Sequence, residues 1–419
     1  MPASARPRLR PVESIVVPDR DHGRVLVLRD TEGIARGVAQ IPPDLVAIVA
    51  KFDGAHTCAE IAVAASEEIG TTISTALVEK IAGELEDGLF LDGAKFRAAR
   101  AKIASDFAAA KVRAASHAGG AYSSDPSALT SYLDDKCIGA AKHERARFRD
   151  KTISALIAPH IDPWRGAMGY GHGYGALAEA LSPEADTFVL FGTSHAPMRQ
   201  PFALCAKSFD TPLGPMEADD DALALIAKSA SFDPYADQFF HKREHSLEFQ
   251  VVFLKHILKK QKKRKKQPKI VPILAGLGEH QARGTNPEKD PVVATFLGGV
   301  RALAEERGER VVFVAGADLA HVGPRFGDTK PYGEEERAKL EERDRGSLHS
   351  ATDRDASGFW EHVSSDNDSR RVCGLAPIYA LLASLAAGGS GGAETLHYEQ
   401  TVDAHDGSIV SHASVAFFR

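Results

Sequence analysis

The sequence predicts an α/β protein with a mostly parallel central sheet and helices on both faces, preceded by a small α+β domain. From residue 117 onward, short Val, Ile and Leu runs bounded by turn residues alternate with helical stretches, which is typical of such sheets. Before residue 96 the apolar periodicity changes from strand to helix. The stretch between them is rich in Ala, Lys and Arg, so we predict domains at residues 10–95 and 117–419, joined by a helical linker at 96–116.

The composition excludes several classes of protein. With 419 residues, of which 43% are hydrophobic and 26% charged, the chain can bury a core in each of two domains and is neither fibrous nor disordered. A net charge of −6 gives no global attraction to nucleic acid or to an anionic membrane, so we predict neither as a partner. Four cysteines, and no apolar segment after a basic start, predict a cytoplasmic location.

The first domain is predicted to hold three helices between two strands. A β-prone run at residues 24–28 comes first. Three helices follow, and Thr57 and Glu60 have the spacing of a capping box at the start of the second. An apolar stripe over residues 77–85 predicts the third helix, and residues 89–91 predict a short closing strand. This order of elements predicts a winged-helix-like unit.

The second domain is predicted to contain five buried strands. Each is a short apolar run with turn residues at its ends, and helical stretches separate most of them. The predicted strands lie at residues 153–158, 187–191, 270–275, 311–315 and 412–418.

Three of these strands run into side chains that can bind a metal ion. His160 and His195 follow the first two strands, and Asp318 and His321 follow the fourth. Because ligands bind beyond the carboxyl ends of strands in α/β sheets, we expect these residues to share one crevice. A single histidine at such a place is often structural, but imidazoles and a carboxylate together are the usual ligands of borderline divalent metals.

Two further segments carry candidate residues. Cys373 precedes an apolar helix, whose dipole favours the thiolate that binds metals, although a buried structural cysteine is the alternative. Glu244, His245 and Glu248 form a polar cluster at a helix start. This cluster is interpreted either as a wall that binds substrate or as acidic groups that complement the helix dipole.

Other motifs argue against common alternatives. No phosphate-binding loop or HExxH zinc motif is present in the sequence, and we interpret the glycine-rich run at residues 388–392 as a flexible turn. The glycines at residues 171–175 do not directly follow a strand, so they do not predict a dinucleotide site. The basic run at residues 255–269 lacks interleaved aromatic residues, and we interpret it as a solvated loop and not as a nucleic-acid patch.

The order of the motifs resembles the Memo-like family, in particular its members named AmmeMemoRadiSam system protein B. The resemblance covers roughly residues 117–419. It rests on seven segments: Pro159-His160-Ile161-Asp162 with Arg165-Gly166, Gly192-Thr193-Ser194-His195, Thr211-Pro212-Leu213-Gly214 with Asp219, Glu244-His245-Ser246-Leu247-Glu248, Val271-Pro272-Ile273-Leu274-Ala275-Gly276, Asp318-Leu319-Ala320-His321-Val322-Gly323 and Cys373-Gly374.

The resemblance implies a fold like that of the class III extradiol dioxygenases, with a non-haem iron site. By this resemblance His160, His195 and Cys373 fall on the family's metal-ligand positions, and Asp318 and His321 line the same cavity. A cysteine in place of a carboxylate implies a softer site, most simply for Fe(II), with Cu or Zn as alternatives. Animal members have Pro-His-Ala-Gly-Tyr at the first motif, whereas this chain places Asp162 there.

The leading hypothesis is a metal-dependent redox enzyme that acts on a small molecule or a peptide. His321, or Asp318 through it, would act as the general base. Asp162 and the cluster formed by Glu244, His245 and Glu248 would bind the substrate.

Two alternatives remain open at this stage. One is a non-catalytic adaptor or peptide carrier that works with a radical-SAM partner, as the family name implies; the other is metal-assisted hydrolysis by the same residues. The first domain also resembles PqqD-like winged-helix modules, some of which bind the leader peptides of modified peptides.

Overall fold

The chain folds into two compact units, Met1–Ala109 and Ala110–Arg419. The structure is a computed structural model, and it describes residues 6–35, 37–141, 148, 150–261, 266–385 and 391–419. Residues 262–265 of the basic run therefore lie outside the described residues. We call the two units the N-terminal unit and the C-terminal unit.

The described residues of the N-terminal unit form a small antiparallel sheet and four helices. The three strands pair in the order β1-β2-β3. Both capping-box bonds between Thr57 and Glu60 are present at the start of the second helix, as the spacing predicted. The elements are β1 (Glu13–Asp19), β2 (Gly23–Arg29), β3 (Val38–Ile41), α1 (Pro43–Val49), α2 (Cys58–Ile69), α3 (Thr75–Asp87) and α4 (Ala94–Ala109).

Two expectations for this unit need correction. The predicted strand at residues 89–91 is only a single bridge between Leu9 and Leu91. Leu89 adopts a left-handed backbone with φ 65°, which prevents an extended run at that point. The stretch expected to be a linker begins as a packed helix, because Phe96 of α4 is buried and the Arg10 guanidinium lies 4.5 Å from the centre of its ring.

An eight-stranded mixed sheet forms the centre of the C-terminal unit and confirms the α/β class. The strands lie in the order β11-β13-β5-β10-β6-β9-β7, and β12 pairs with β13. Four neighbouring strands, β5, β10, β6 and β9, are parallel to one another, as expected. The strands next to them, β13 on one side and β7 on the other, are antiparallel to them. The strands are β5 (Ile153–Ala158), β6 (Thr187–Thr193), β7 (Phe202–Leu204), β9 (Lys269–Ala275), β10 (Val311–Gly316), β11 (Asp318–Val322), β12 (Gly391–Val402) and β13 (Ile409–Phe418), with a separate pair β4 (Val112–Arg113) and β8 (Ser208–Phe209).

Helices cover both faces of this sheet. Successive side chains of a strand point to opposite faces, so Val189 and Phe191 of β6 join one apolar core while Gly192 faces the other side. The helices are α5 (Pro126–Tyr132), α6 (Ala167–Ala180), α7 (Asp220–Ser229), α8 (His245–Lys260), α9 (Gly278–Arg283), α10 (Pro291–Arg307), α11 (Glu334–Thr352), α12 (Ala356–Ser364) and α13 (Leu375–Ser384), with a π-helix at Leu133–Ile138 and short 3-10 turns at Gln238–Lys242, Pro287–Lys289, Gly308–Arg310 and Pro324–Phe326.

Helices α10 and α13 contribute to the core that contains Val189 and Phe191, whereas α8 lies over Gly192. A methyl group on Gly192 would come within 2.7 Å of the Leu247 side chain, so the glycine permits the close approach of α8. Within the described part of the chain, we find no helix whose length and apolar character would let it span a membrane.

Candidate metal centre

Three histidines converge beyond the carboxyl ends of the parallel strands. His160 follows β5, His195 follows β6, and His245 is the first residue of α8. One potential ligand atom from each lies within 4.8 Å of the others. Their ring centres are separated by 5.1 Å for His160 and His195, 5.3 Å for His160 and His245, and 4.6 Å for His195 and His245. The arrangement is a potential three-histidine metal site.

His160 is held in one orientation by the strands around it. Its Nδ1 lies 2.9 Å from the carbonyl oxygen of Gly316, and its backbone N–H donates to Asp318 Oδ1 at 2.8 Å. The side chain is buried, and burial lowers the pKa of His160, so the ring is neutral at pH 7. Because a neutral ring must donate from Nδ1 to the carbonyl, its Nε2 carries the lone pair that a metal ion requires.

Glu244 orients the other two imidazoles. It caps α8 and accepts the backbone N–H of Ser246 at 2.9 Å and that of His195 at 3.0 Å. Its carboxylate also lies 3.0 Å from His195 Nδ1 and 3.3 Å from His245 Nδ1. Burial alone would raise the pKa of Glu244, but these neighbours hold it well below its ordinary range. A carboxylate on Nδ1 leaves Nε2 available to a metal, as in many metal sites.

Cys373 lies directly beside this cluster. Its Sγ is 3.2 Å from His160 Nε2 and 3.9 Å from the carbonyl oxygen of Asp318. The backbone approaches closely here, because a methyl group on Gly374 would lie 2.3 Å from that carbonyl oxygen. Burial raises the pKa of the Cys373 thiol well above its ordinary value, and the charge of Asp318 raises it further. Without a bound cation, these surroundings therefore favour the protonated thiol over the thiolate.

Asp318 and His321, the predicted general base pair, stand on the short strand β11. Asp318 is 1% exposed, and its Oδ2 lies 3.7 Å from His160 Nε2. His321 Nδ1 lies 3.2 Å from the carbonyl oxygen of Leu319, and its ring packs edge-on against Phe326 at 5.1 Å between centres. Burial lowers the pKa of His321 to about 4, so the ring is neutral near pH 7.

Glu248, predicted to bind substrate, is instead part of a buried polar network. Its carboxylate, 1% exposed, forms an ion pair with the buried Arg113 and accepts hydrogen bonds from Tyr122 Oη at 2.5 Å and the backbone N–H of His117 at 2.9 Å. Burial opposes its ionisation, yet Arg113 and His117 hold the pKa of Glu248 well below its ordinary value. The Glu248 carboxylate therefore connects the segment that precedes α5 to helix α8. We correct its predicted role to a structural one.

Asp162 also has a local partner. Its carboxylate accepts Arg165 Nε at 2.5 Å and the Arg165 backbone N–H at 3.1 Å. These bonds close the turn between β5 and α6. The structure thus places Asp162 in a turn just after His160, with its carboxylate paired to Arg165.

Sequence reasoning did not identify Arg113, which lies within the segment expected to be a linker. Its guanidinium is buried and also donates to the backbone carbonyls of His241 at 2.9 Å and Glu244 at 2.8 Å. One signal was available: Glu248 lies between the apolar residues of an inward-facing helix, and a buried carboxylate requires a cation or several donors. That signal predicts a partner but does not say which arginine provides it.

Comparison with known proteins agrees with the motifs. The sequence profile of the family described as "Memo-like protein" matches residues 113–416. A "MEMO1 family protein" of Aquifex aeolicus is 24% identical over 397 residues, covering 95% of this chain and 97% of its own length. A "MEMO1 family protein" of Methanosarcina mazei is 29% identical and covers 65% of this chain and 88% of its own length.

A third relative, "MEMO1 family protein TK1477" of Thermococcus kodakarensis, is 30% identical and covers 64% of this chain and 88% of its own length. The Aquifex relative matches the N-terminal unit as well, since 95% of the chain exceeds the extent of the C-terminal unit. The profile match spans most of the C-terminal unit and includes all three histidines. The chain therefore belongs to the Memo-like protein family.

Proposed function

We propose that this protein is a metal-dependent oxidoreductase whose ion, Fe(II), is held by His160, His195, His245 and Cys373. The proposal rests on the convergence of three imidazoles. The Nδ1 atom of each lies next to an acceptor, which is the Gly316 carbonyl for His160 and the Glu244 carboxylate for His195 and His245. These donors fit such a metal ion, because imidazole binds Fe, Cu and Zn, and a sulfur donor favours the softer of these metals. Cu and Zn are the competing ions.

The protein's own residues prepare this site for a redox reaction. A bound Fe(II) would supply Lewis acidity and one-electron chemistry. Glu244 holds His195 in the required tautomer, and the Gly316 carbonyl does the same for His160. His321, neutral near pH 7, is the proposed acceptor of a proton from a chelating substrate, with Asp318 stabilising the charge that develops.

Metal analysis of the full chain tests the donor set. Protein loaded anaerobically with Fe(II) and passed through a desalting column should keep about one ion per chain, and His160→Ala and His245→Ala should lose it. His280→Ala is the control, because that ring is bound to Asp290 outside the cluster. Unchanged iron content in both site variants would end the proposal.

A second measurement addresses the reaction. The iron-loaded protein should consume O₂ in the presence of catechol-like chelating compounds, and His321→Gln should slow turnover while it leaves the iron content unchanged. An absence of O₂ consumption across a broad panel, with iron bound, would refute the redox assignment and leave only metal binding.

A further inference from the structure

The strand β11 contains a bulge between the two residues of the predicted general base pair. Asp318 is paired with His412 of β13, whereas His321 is paired with Val410. The chain therefore advances by three residues on β11 but by only two on β13, which places one extra residue on β11. Bulges of this kind are often found next to active sites, where they redirect a side chain.

The bulge brings Asp318 and His321 to the same face of the sheet. In a regular strand, two residues three positions apart point to opposite faces. Here their partners, His412 and Val410, are two positions apart and share a face, and directly paired residues of neighbouring strands point to the same side. That face is covered by α6, because a methyl group on Gly169 would lie 3.1 Å from His412 Nδ1. Without the extra residue, the His321 ring would point away from Asp318.

A bulge interrupts the ladder of backbone hydrogen bonds, and here a side chain fills the interruption. The backbone N–H of Ala320, which lies within the bulge, donates to Ser411 Oγ at 2.9 Å. Ser411 stands between Val410 and His412 on β13, so its side chain points to the face opposite theirs. Its hydroxyl in turn donates to Asp344 Oδ2 at 2.5 Å. Because Ser411 and Asp344 are both 0% exposed, solvent does not compete for these bonds.

Asp344, on helix α11, also holds the segment that lies on the other side of β11. The buried Arg370 guanidinium donates to Asp344 Oδ1 at 2.6 Å. The backbone carbonyl of the same arginine accepts the backbone N–H of His321 at 2.7 Å. One buried carboxylate is therefore connected to the backbone of two successive residues of β11, to Ala320 through Ser411 and to His321 through Arg370.

We propose that Ser411 and Asp344 are positioning residues, which fix the bulge and so hold the His321 ring on the face that carries Asp318. This inference rests on the proposed role of His321 as the proton acceptor. An imidazole accepts a proton only when its lone pair is within hydrogen-bond reach of the donor, and a displacement of about 1 Å can cost roughly 100-fold in rate. Without the Ser411 hydroxyl, proton transfer should slow while the three histidines still bind the metal ion.

Replacing Ser411 by Thr and by Val gives a pair of variants that separates the hydroxyl from the packing. The two new side chains have nearly the same shape, but only Ser411→Thr keeps the oxygen that bonds Ala320 and Asp344. In the iron-loaded full chain with a catechol, Ser411→Val should lower kcat for O₂ consumption at least about tenfold relative to Ser411→Thr, with the same iron content. In a His321→Gln background, Ser411→Val should lower kcat no further, because it acts through that ring.

Two measurements on the metal-free chain need no activity. The backbone amides of Ala320 and His321 should exchange their hydrogens at least roughly tenfold faster in Ser411→Val than in Ser411→Thr. The rings of His321 and Phe326, whose centres are 5.1 Å apart, should give nuclear Overhauser effects that weaken only in Ser411→Val. These measurements report where β11 and the His321 ring lie, whatever reaction the metal centre performs.

A control and a replacement variant complete the design. Ser384→Ala removes a hydroxyl that is also buried but bonds the Ala380 carbonyl within α13 at 2.7 Å, so it should leave kcat and the exchange of the β11 amides unchanged. If the larger side chains at Ser411 prevent folding, Ser411→Ala takes the place of Ser411→Val and is compared with the unaltered protein.

The outcomes separate this inference from the proposed function. Equal kcat for Ser411→Thr and Ser411→Val, equal exchange of the Ala320 and His321 amides, or additive losses in the His321→Gln background would each overturn the positioning role. An absence of O₂ consumption by the unaltered protein would refute the proposed function instead. Amide exchange and the ring contact with Phe326 would then decide whether Ser411 and Asp344 hold His321 in place.

Discussion

Replacing Glu244 by Gln tests whether this buried carboxylate orients the clustered histidines. Its two oxygens accept the backbone N–H groups of His195 and Ser246, and Oε1 lies 3.0 Å from His195 Nδ1. Glutamine has nearly the same shape but only one oxygen, so its NH₂ group must face an N–H donor. The substitution therefore removes the charge, one backbone hydrogen bond and the constraint on the His195 tautomer.

The expected magnitudes follow from these contacts. A lost hydrogen bond to a charged group should lower the free energy of unfolding by about 1.5–3 kcal/mol. Loss of a carboxylate that orients a metal-binding imidazole should reduce metal affinity by roughly 10- to 100-fold. The second change corresponds to about 1.4–2.7 kcal/mol of binding free energy.

Competition between the protein and a fluorescent chelator for Zn(II) measures the change in metal affinity, and urea denaturation measures the change in stability. Asp219→Asn is the matched control, because Asp219 is a buried N-cap of α7 that accepts the Ala222 backbone N–H and pairs with Arg307 away from the histidines. It should lose stability and keep its Zn(II) affinity. If Glu244→Gln binds Zn(II) as tightly as the unaltered protein, the reasoning about orientation is refuted.

Three further predictions concern neighbouring groups. Gly374→Ala should cost about 1–3 kcal/mol of unfolding free energy in urea, because its methyl group would meet the Asp318 carbonyl; an unchanged midpoint would contradict the close approach. Glu248→Gln, which leaves Arg113 buried without its carboxylate, should cost about 3–5 kcal/mol. The pKa of Glu248 is depressed in the folded protein, so its contribution to the free energy of unfolding is present above about pH 4.3 and is lost as the pH falls. The variant lacks this carboxylate, and it should therefore lose less stability than the unaltered protein on acidification from about pH 6 to about pH 3. The buried Cys373 thiol is protonated before metal binding, so the unaltered protein should release about one proton more on binding Zn(II) than Cys373→Ser does. Calorimetry in buffers of different ionisation enthalpy measures this difference. Equal proton release by the two proteins would exclude Cys373 as a donor.

The strands buried on both faces could be predicted from the sequence, because their apolar runs are continuous. Residues 153–158 and 311–315 are examples, and both lie in the parallel centre of the sheet. The edge strand β12 could not be predicted in this way. Its side chains are mostly polar and half-buried, and it is a strand because its backbone pairs with β13 over a long stretch.

The candidate metal centre was only partly predictable, for a related reason. His160 and His195 follow strands that end at the same sheet edge, so topology alone brings them together. His245 reaches them only because α8 approaches the sheet over Gly192 and Gly316, where any side chain would collide with the helix. The sequence contains both glycines but does not indicate which helix they admit.

The order of the proposed donors along the chain determines when an ion could be captured during synthesis. His160 and Cys373 are 213 residues apart, and the other donors lie between them. At a translation rate of about 5–20 residues per second, roughly 10–40 s separate the appearance of the first donor from that of the last. If the proposed site needs all four donors, a nascent chain would hold its early imidazoles and its half-built sheet without the complete donor set, and metal loading would be one of the last events in the maturation of the protein.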